Sequence, residues 1–593
     1  MSRGREAGAR GWGLGARGLA ARFARFGLAI LAIGLGVGVL AVAQAPAGDL
    51  LMRAMRDEVD RSAKVTVSGL AAPYFIEYVV DEEDNFTVTA SLGGVVERRR
   101  QQFRSPQIAV RVGDYQFDNS NFAGGFSSGR GGGGLPVENS YAVLRRYFWL
   151  ETDAAYKAAV ETLSRKRAAL RNVTQTEQIN DFAHAAPVHF LGNFQKLTID
   201  EDEWTGRIRT LSAVFAQFPS INYSLVDLDA SAGGFYLVNT EGTEVRAPET
   251  VAAVRARATA QAPDGMNIAD GVSFQSLGLS GMPSDAEMVK GITAMARNIM
   301  ALQAAPKGED YTGPVVFEGQ AGAQILAEVL GRNLVPVRRP LGGAGGRGGA
   351  AGAASELEGR IGARVLPESF DVVDDPTQKE WRGRALFGSY DVDREGVLPQ
   401  PLRLVEKGVL KGFLMTREPV KGIEGSNGRA RLPSGAGNSG AAISNLFVSS
   451  SDAVPAEDLK KKLIDLIQQR SKPYGILIRK MDFPSVGGVA PAGAQANGGR
   501  PVSAPIMLFK VYPDGHEEQV RGLRFRGLNA KSLKDILAAG DDAAPFEFMN
   551  IGRGFSAETC VVAPSILIDD LELYAPEEEQ PKLPIAPAPE ITR

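Results

Sequence analysis

The sequence predicts an α+β protein in which an N-terminal mixed α/β domain is followed by a large, mainly antiparallel β domain of barrel- or sandwich-like form. A chain of 593 residues exceeds what one hydrophobic core can organise, so two large domains are expected. Runs in which aromatic or β-branched residues alternate with polar residues recur along the chain. Segments with a one-sided apolar helical pattern lie mostly in the first half, and the second half is mostly strand-like.

The composition is typical of a folded globular protein and excludes a nucleic-acid partner. Apolar residues make up 44% of the chain and charged residues 23%, which argues against global disorder. The formal charge of -3 offers no basic surface for phosphates, and the aromatic residues are not interleaved with Lys or Arg.

The first 43 residues have the pattern of a signal peptide. Six arginines precede an apolar run over residues 26–43, which ends in Ala41-Val-Ala-Gln-Ala-Pro. Cleavage is expected after Ala43, because Pro46 disfavours a cut after Ala45. This interpretation predicts export to the periplasm or the extracellular space, with no stable membrane span in the mature chain. An uncleaved anchor formed by residues 26–43 is the alternative, since the run approaches the ~18 residues of a spanning helix. A transit peptide is a third interpretation, which the continuous apolar block does not favour.

The predicted N-terminal domain spans residues 49–265. Its first helix has Asp49 as the N-cap and Leu51, Met55 and Val59 on one face. The segment over residues 122–134 is rich in glycine and is predicted to be a loop. The predicted elements are the helix 49–62, strands 73–80, 85–92 and 107–115, helices 150–171 and 207–218, and a hairpin of strands 221–229 and 234–239 that turns at Ala232-Gly233.

A connecting segment, residues 266–310, carries a predicted helix over 284–304 and leads into the C-terminal domain, residues 311–576. That domain opens with a buried strand at 315–318, a turn at Gly319 and a helix that continues to Arg332. Residues 577–593, rich in proline and acidic residues, are predicted to be a tail. The other predicted elements are strands 364–367, 370–374, 402–414, 443–448 and 476–479, the helix 456–469, and a hairpin of 506–512 with 518–525.

Residue types that carry catalysis or bind metals are scarce. The chain has three histidines and one cysteine. His184 and His189 form a weak alternative metal site, because residues five apart do not share a face on a regular helix or strand, and Pro187 lies between them. The pattern Gly125-Phe-Ser-Ser-Gly lies in the glycine-rich loop, so Ser127 is not on a nucleophile elbow. Cys560 lies in an apolar strand and is expected to be a buried, inert thiol.

Several segments, in order along nearly the whole mature chain, resemble the TldD/PmbA family of zinc metallopeptidases and their metal-free partner subunits. In the first domain they are Pro73-Tyr-Phe-Ile-Glu-Tyr and Val110-Arg-Val-Gly-Asp-Tyr-Gln-Phe-Asp-Asn. In the second they are Val372-Val-Asp-Asp, Asp393-Arg-Glu-Gly-Val, Leu404-Val-Glu-Lys-Gly-Val-Leu-Lys-Gly-Phe-Leu, Ser426-Asn-Gly-Arg-Ala-Arg, Ser444-Asn-Leu-Phe-Val and Ala563-Pro-Ser-Ile-Leu.

The resemblance implies that a zinc site belongs on the helix that follows the opening strand. The family motif His-Glu-x-x-x-His falls on residues 327–332, where Glu328 is retained and Ala327 and Arg332 stand at the histidine positions. A register over residues 317–322 also lacks both histidines, and no cysteine occurs near 550–553, where the family's third ligand is expected. Glu328 is therefore a vestigial catalytic candidate, and no zinc or other cofactor is expected.

Three functions follow from these expectations. The first is a non-zinc, TldE/PmbA-like subunit or degenerate peptidase in peptide processing, which forms a homodimer or a heterodimer with a TldD-like paralogue. The second is an active metallopeptidase with a displaced site that uses His184, His189 and Glu328. The third is a peptide-binding or scaffold protein. The sequence leaves open whether the protein is an enzyme. In structural terms, Glu328 is expected to be an exposed helix residue, and Arg332 a cation at the helix C-terminus followed by Asn333.

Overall fold

The computed structural model describes residues 49–123, 134–171, 178–342, 355–433, 439–482, 502–552 and 555–577. All of them belong to one compact unit of the chain, residues 43–593. The predicted signal peptide of residues 1–43, with its alternative as an anchor, lies outside the described residues, as do Ser127 and nearly all of the predicted tail. Among the described residues, no helix combines the length and apolarity needed to cross a membrane.

The first half of the described chain contains four α-helices and six strands that form one sheet. The helices are α1 (Leu50–Ser62), α2 (Tyr141–Leu170), α3 (Glu201–Ala213) and α4 (Asp285–Ala304), and a short 3-10 turn (Val214–Gln217) extends α3. The strands are β1 (Pro73–Ser91), β2 (Gly94–Val112), β3 (His189–Leu191), β4 (Ile221–Asn239), β5 (Glu244–Gln261) and β6 (Asn267–Ser276).

This first sheet has the order β2-β1-β4-β5-β3, and β6 also pairs with β5. All pairs are antiparallel except β3 with β5. Because side chains alternate along a strand, the even-numbered residues of β1 and β4 share one face. That face packs against α1 and α2 at one end, through residues such as Tyr78, and against α3 and α4 at the other, through residues such as Val88. On the opposite face, Phe235 and Leu237 contact Val392 of the second half.

The predicted hairpin at Ala232-Gly233 is wrong, because β4 runs without a turn from Ile221 to Asn239. Gly233 instead allows β4 to pack closely against β1. A Cβ atom on Gly233 would lie 1.9 Å from the carbonyl oxygen of Glu82 on β1. The two strands predicted over 73–80 and 85–92 are likewise one continuous strand, β1.

The segment predicted to connect the domains contains parts of the first sheet and its core. Strand β6 pairs with β5 from Asn267↔Gln261 to Ser276↔Ala252. Helix α4 begins after the N-cap Ser284, whose side chain forms a capping box with Glu287. Its predicted face, which includes Ile292 and Ile299, is buried in the same core as α3. The first sheet therefore continues past residue 265.

The second half begins at β7 (Tyr311–Phe317), and its described residues form two large sheets and two small sheets of two strands each. Its helical segments are α5 (Gln320–Ile325), a π-turn (Leu326–Leu330), a 3-10 turn (Gly331–Leu334), α6 (Ala456–Gln469) and a second 3-10 turn (Ala530–Asp535). The remaining strands are β8 (Phe370–Asp374), β9 (Glu380–Trp381), β10 (Arg384–Ala385), β11 (Leu402–Glu406), β12 (Val409–Leu410), β13 (Ala430–Pro433), β14 (Ser439–Ala441), β15 (Asn445–Ser450), β16 (Gly475–Met481), β17 (Pro505–Val511), β18 (Glu517–Val520), β19 (Arg524–Arg526), β20 (Ile536–Ala539), β21 (Ala544–Gly552), β22 (Phe555–Ala563) and β23 (Ile566–Tyr574).

The two large sheets of the second half enclose one core. One has the order β12-β11-β8-β15-β22-β21, and the other β18-β17-β16-β7-β23-β19 with β20 on β23. The core takes residues from both sheets, such as Val372 and Ile478, and from the helical segment between them, such as Leu326. The α+β fold class is confirmed, and the second domain is mainly antiparallel. In the described part of the chain both sheets are open, so the barrel form of the prediction does not hold.

Candidate functional site

The helical segment after β7 is held at its start by a glycine turn. Strand β7 lies in the middle of its sheet, between β16 and β23. Gly319 has φ +54°, a left-handed conformation that favours glycine, and its N–H donates to Ser565 Oγ at 2.7 Å. Helix α5 starts at the next residue. The predicted order of strand, turn and helix is confirmed here.

The helix then widens where the zinc motif would lie. Residues Leu326–Leu330 form a π-turn, in which the N–H of Gly331 reaches back to the carbonyl of Leu326. In a π-turn, residues five apart come close to the same face, whereas on a regular α-helix they diverge. Positions 327 and 332 have this spacing. Ala327 lies within the π-turn, whereas Arg332 lies in the 3-10 turn that follows it.

Glu328 is buried, and protein donors surround its carboxylate. Its exposure is only 6%, so the expectation of an exposed helix glutamate is wrong. Oε1 accepts hydrogen bonds from Gln324 Nε2 at 2.9 Å and from Ser503 Oγ at 2.7 Å, and Oε2 accepts one from the Ser503 N–H at 2.7 Å. The carboxylate thus joins the helix to the segment that leads into β17. No sequence signal pointed to Ser503 or Gln324.

These residues do not fit the zinc ion that the resemblance implies. Ala327 has no donor atom, Arg332 is a cation, and both oxygens of Glu328 already accept hydrogen bonds. Cys560 is fully buried in β22, where burial and the nearby Glu547 raise the pKa of its thiol to about 12. An open zinc site needs three protein ligands. The helix therefore offers a donor set that is inadequate for catalytic zinc.

The structure does not gather the histidines around Glu328. His184 is 68% exposed and lies 3.8 Å from Glu241 and beside the ring of Tyr115. His189 is exposed at the start of β3. Among the described residues, no group of three or more His, Cys, Asp or Glu side chains is arranged to hold a metal. Glu328 belongs instead to the core of the second half.

Three of the segments that carry the resemblance converge on one buried ion pair. Arg429 Nε donates to Asp374 Oδ1 at 2.6 Å, and both side chains are fully buried. The N–H and Oγ of Ser444 donate to the same carboxylate at 2.8 and 2.7 Å. These motif residues therefore stabilise the packing of β8, β13 and β15, and their contacts are structural.

A cavity of about 350 Å³ lies at the start of the motif helix, between β6 and the second half of the chain. This volume is within the range of small-ligand sites. Gly319 and Gln320 contribute from the helix start, and Phe274 and Phe546 contribute apolar walls. Glu328 is not part of the lining. The cavity therefore lies next to the motif helix but away from its one retained motif residue.

The charged groups of this helix-start cavity are largely paired. Lys480 Nζ donates to Asp270 Oδ1 at 2.6 Å, and Arg384 donates to Glu547 at 2.8 Å. Burial raises the pKa of Glu547, and Arg384 opposes that shift. Gln275 Oε1 is buried and accepts no hydrogen bond from the described residues. The cavity thus offers apolar walls and one unused amide oxygen. Sequence reasoning missed these residues, because β6 and β21 meet only in the folded chain.

The comparisons with known proteins agree with the sequence motifs. Residues 310–574 match the family described as PmbA/TldA metallopeptidase C-terminal domain. A metalloprotease from Archaeoglobus fulgidus is 42% identical over 78 residues, which are 13% of this chain and 17% of that protein. A metalloprotease from Methanothermobacter thermautotrophicus is 37% identical over 97 residues, 16% of this chain and 20% of that protein. The matches thus span a fifth of these relatives' length at most.

Solved structures show the same fold over most of the chain. TldE from Thermococcus kodakarensis aligns with a TM-score of 0.54 at 12% identity, covering 88% of this chain and 99% of that one. A protein described as a modulator of a DNA gyrase, from Thermotoga maritima, aligns with a TM-score of 0.51 at 14% identity, covering 84% and 96%. At such identities the likeness shows the fold alone. Residues 310–574 therefore belong to the PmbA/TldA metallopeptidase C-terminal domain family, and the likeness of fold to the solved structures extends over most of the chain.

Proposed function

We propose that this protein is an exported, non-zinc subunit of the TldE/PmbA type, which takes part in peptide processing without a catalytic metal of its own. The observation that carries the proposal is the state of the motif helix. Its backbone forms a π-turn, Glu328 is hydrogen-bonded to Ser503 and Gln324, and Ala327 and Arg332 occupy the histidine positions. The Glu328 carboxylate therefore stabilises the fold.

The helix-start cavity supports a role in binding peptide. Apolar rings from Phe274 and Phe546 line it, and Gln275 Oε1 is available to accept a backbone N–H. Clefts of this kind, with apolar walls and few polar groups, are typical ligand sites. In the proposed assembly, peptide lies against this cavity and a zinc-bearing, TldD-like paralogue supplies the catalytic metal. A homodimer is the alternative assembly.

Reconstitution with a TldD-like paralogue that retains both histidines tests this function. We expect the two chains to co-elute on size exclusion, and the pair to hydrolyse an unstructured peptide that the present chain alone leaves intact. Hydrolysis by this chain alone, abolished by a chelator and restored by zinc, would overturn the proposal. The double variant His184→Ala/His189→Ala is the control for a displaced site, and it should behave like the wild type in both assays.

Export is tested by N-terminal sequencing of protein recovered from the periplasm or the culture medium. We expect the mature chain to begin at Gln44, because the small residues Ala41 and Ala43 precede the cut. A full-length chain retained in the membrane fraction would instead support the anchor formed by residues 26–43.

A further inference from the structure

A second cavity, of about 240 Å³, lies on the face of the first sheet opposite its helices. Strand β5 and the loop over residues 389–394 form its two sides, and it shares no lining residue with the helix-start cavity. Phe190, Phe235 and Leu277 contribute apolar walls. The volume is below the ~300–1,000 Å³ typical of sites for drug-sized ligands. A ligand the size of an amino acid or a dipeptide fits it better than a long peptide.

Most of the charged groups around this second cavity are already satisfied. A carboxylate or a cation that is already hydrogen-bonded or ion-paired contributes little free energy to the binding of a ligand. The satisfied contacts are Lys379 with Asp391 at 3.0 Å, Arg394 with Asp81, and Asp393 with the backbone N–H groups of Glu395, Val397 and Ala430.

Glu249 is the exception among the lining carboxylates. It makes no hydrogen bond or ion pair with any residue that the structure describes. Its side chain remains accessible to solvent, yet protein atoms crowd around it. This desolvation raises its pKa to about 7, against the opposing effect of Arg394. A carboxylate in such surroundings is stabilised when a cation comes into contact with it.

Arg431 brings a positive charge to the same cavity, and its guanidinium group is only partly hydrogen-bonded by the described residues. Its side chain is 8% exposed, and Nη2 donates to Glu558 at 3.2 Å. The guanidinium lies 4.4 Å from the centre of the Tyr390 ring. Nη1 is buried and has no acceptor among the described residues. A buried donor without an acceptor is costly, and an anionic group of a ligand would satisfy it.

We propose that this second cavity binds a small zwitterion, a free α-amino acid or a dipeptide, with its ammonium group on Glu249 and its carboxylate on Arg431. The apolar walls formed by Phe190 and Leu277 would hold an aliphatic side chain. Such ligands are the size of the products of peptide processing. This assignment goes beyond the proposed function and does not require a zinc-bearing partner.

Isothermal titration of the full chain with L-leucine and L-leucyl-L-leucine tests the ligand class. Two analogues each lack one charge: N-acetyl-L-leucine has no ammonium group, and L-leucinamide has no carboxylate. We expect at least one of the two zwitterions to bind, and both analogues to bind about tenfold more weakly than L-leucine, or not at all, because a charge-assisted contact is lost. Absence of binding by both zwitterions at millimolar concentration, or equal binding by the analogues, would overturn the proposal.

Glu249→Gln tests the residue, and Glu83→Gln is its matched control. Glu83 lies across Gly233 from Glu249 on the same face of the sheet, and its pKa is also raised to about 7, chiefly by burial. It does not line the cavity. We expect Glu249→Gln to weaken zwitterion binding about tenfold or more and Glu83→Gln to leave it unchanged, with equal thermal unfolding temperatures for both variants. Wild-type affinity in Glu249→Gln would refute the assignment.

Discussion

At the scale of single residues, the retained glutamate of the motif helix has become part of the core. Glu328 accepts three hydrogen bonds, two of them from Ser503. Hydrogen bonds to a buried carboxylate are stronger than those between neutral groups, and an unsatisfied partner is costly. The residue that is an acid/base candidate by resemblance is therefore a stabilising residue by its contacts.

Glu328→Gln is expected to lower the free energy of unfolding by about 1–3 kcal/mol, because the amide cannot accept from all three donors. Urea denaturation monitored by circular dichroism measures this change. Glu358→Gln is the control, since Glu358 is exposed and should be neutral within about 0.5 kcal/mol. If the two variants are equally stable, the hydrogen bonds to Glu328 contribute nothing.

A second residue links stability to pH. Glu395 is buried beside Asp393 and accepts the Arg417 N–H at 2.6 Å. Burial, followed by the charge of Asp393, raises its pKa to about 8. Because the folded state binds this proton more tightly than the unfolded chain, the stabilisation is complete at acid pH and is lost as the pH rises through about 8.

Glu395→Gln should therefore flatten the pH dependence of stability. Between pH 5.5 and pH 8 we expect the wild type to lose up to about 3 kcal/mol more unfolding free energy than the variant. Urea denaturation at both pH values measures the difference, with Glu358→Gln again as the control. A variant with the same pH dependence as the wild type would show that Glu395 is ionised in the folded state throughout.

At the scale of elements, the predicted ranges were of uneven accuracy, since α2 and α3 begin nine and six residues before their predicted starts. Helix α6 matches its predicted range, because the apolar stripe of Leu459, Leu463 and Ile467 is unambiguous. The hairpin at Ala232-Gly233 was predicted from a glycine that local sequence cannot distinguish from a turn residue. Its true role is a contact with β1, which is distant in sequence. The π-turn has no recognised sequence signal either.

Gly233→Ala tests that role. The added Cβ atom would lie 1.9 Å from Glu82 O. This is a backbone atom of β1, and the pairing of β1 with β4 fixes its position. We expect a loss of stability larger than the ~1–3 kcal/mol of an ordinary overpacked site. The control is Gly206→Ala in α3, where the new atom has open space and should stabilise the helix by about 0.5–1 kcal/mol. Equal melting temperatures for the two variants would contradict the close-packing role.

At the scale of the whole molecule, the family fold is retained while the donor atoms of the zinc motif are absent. The family motifs could be recognised in the sequence because their residues stabilise the core, as Asp374, Arg429 and Ser444 do. The missing histidines were visible in the sequence. The burial of Glu328 and both cavities were not, because Ser503, Arg431 and strands β5 and β6 come to these sites from distant parts of the chain.

The zinc content of the purified full chain measures directly whether the motif helix holds a catalytic metal. The protein is dialysed against excess zinc, passed over a desalting column and analysed by mass spectrometry of the metal. We expect far less than one tightly held zinc per chain, and the same residual amount in Glu328→Gln, because Ala327 and Arg332 supply no ligand. Near-stoichiometric zinc in the wild type that Glu328→Gln removes would contradict this expectation.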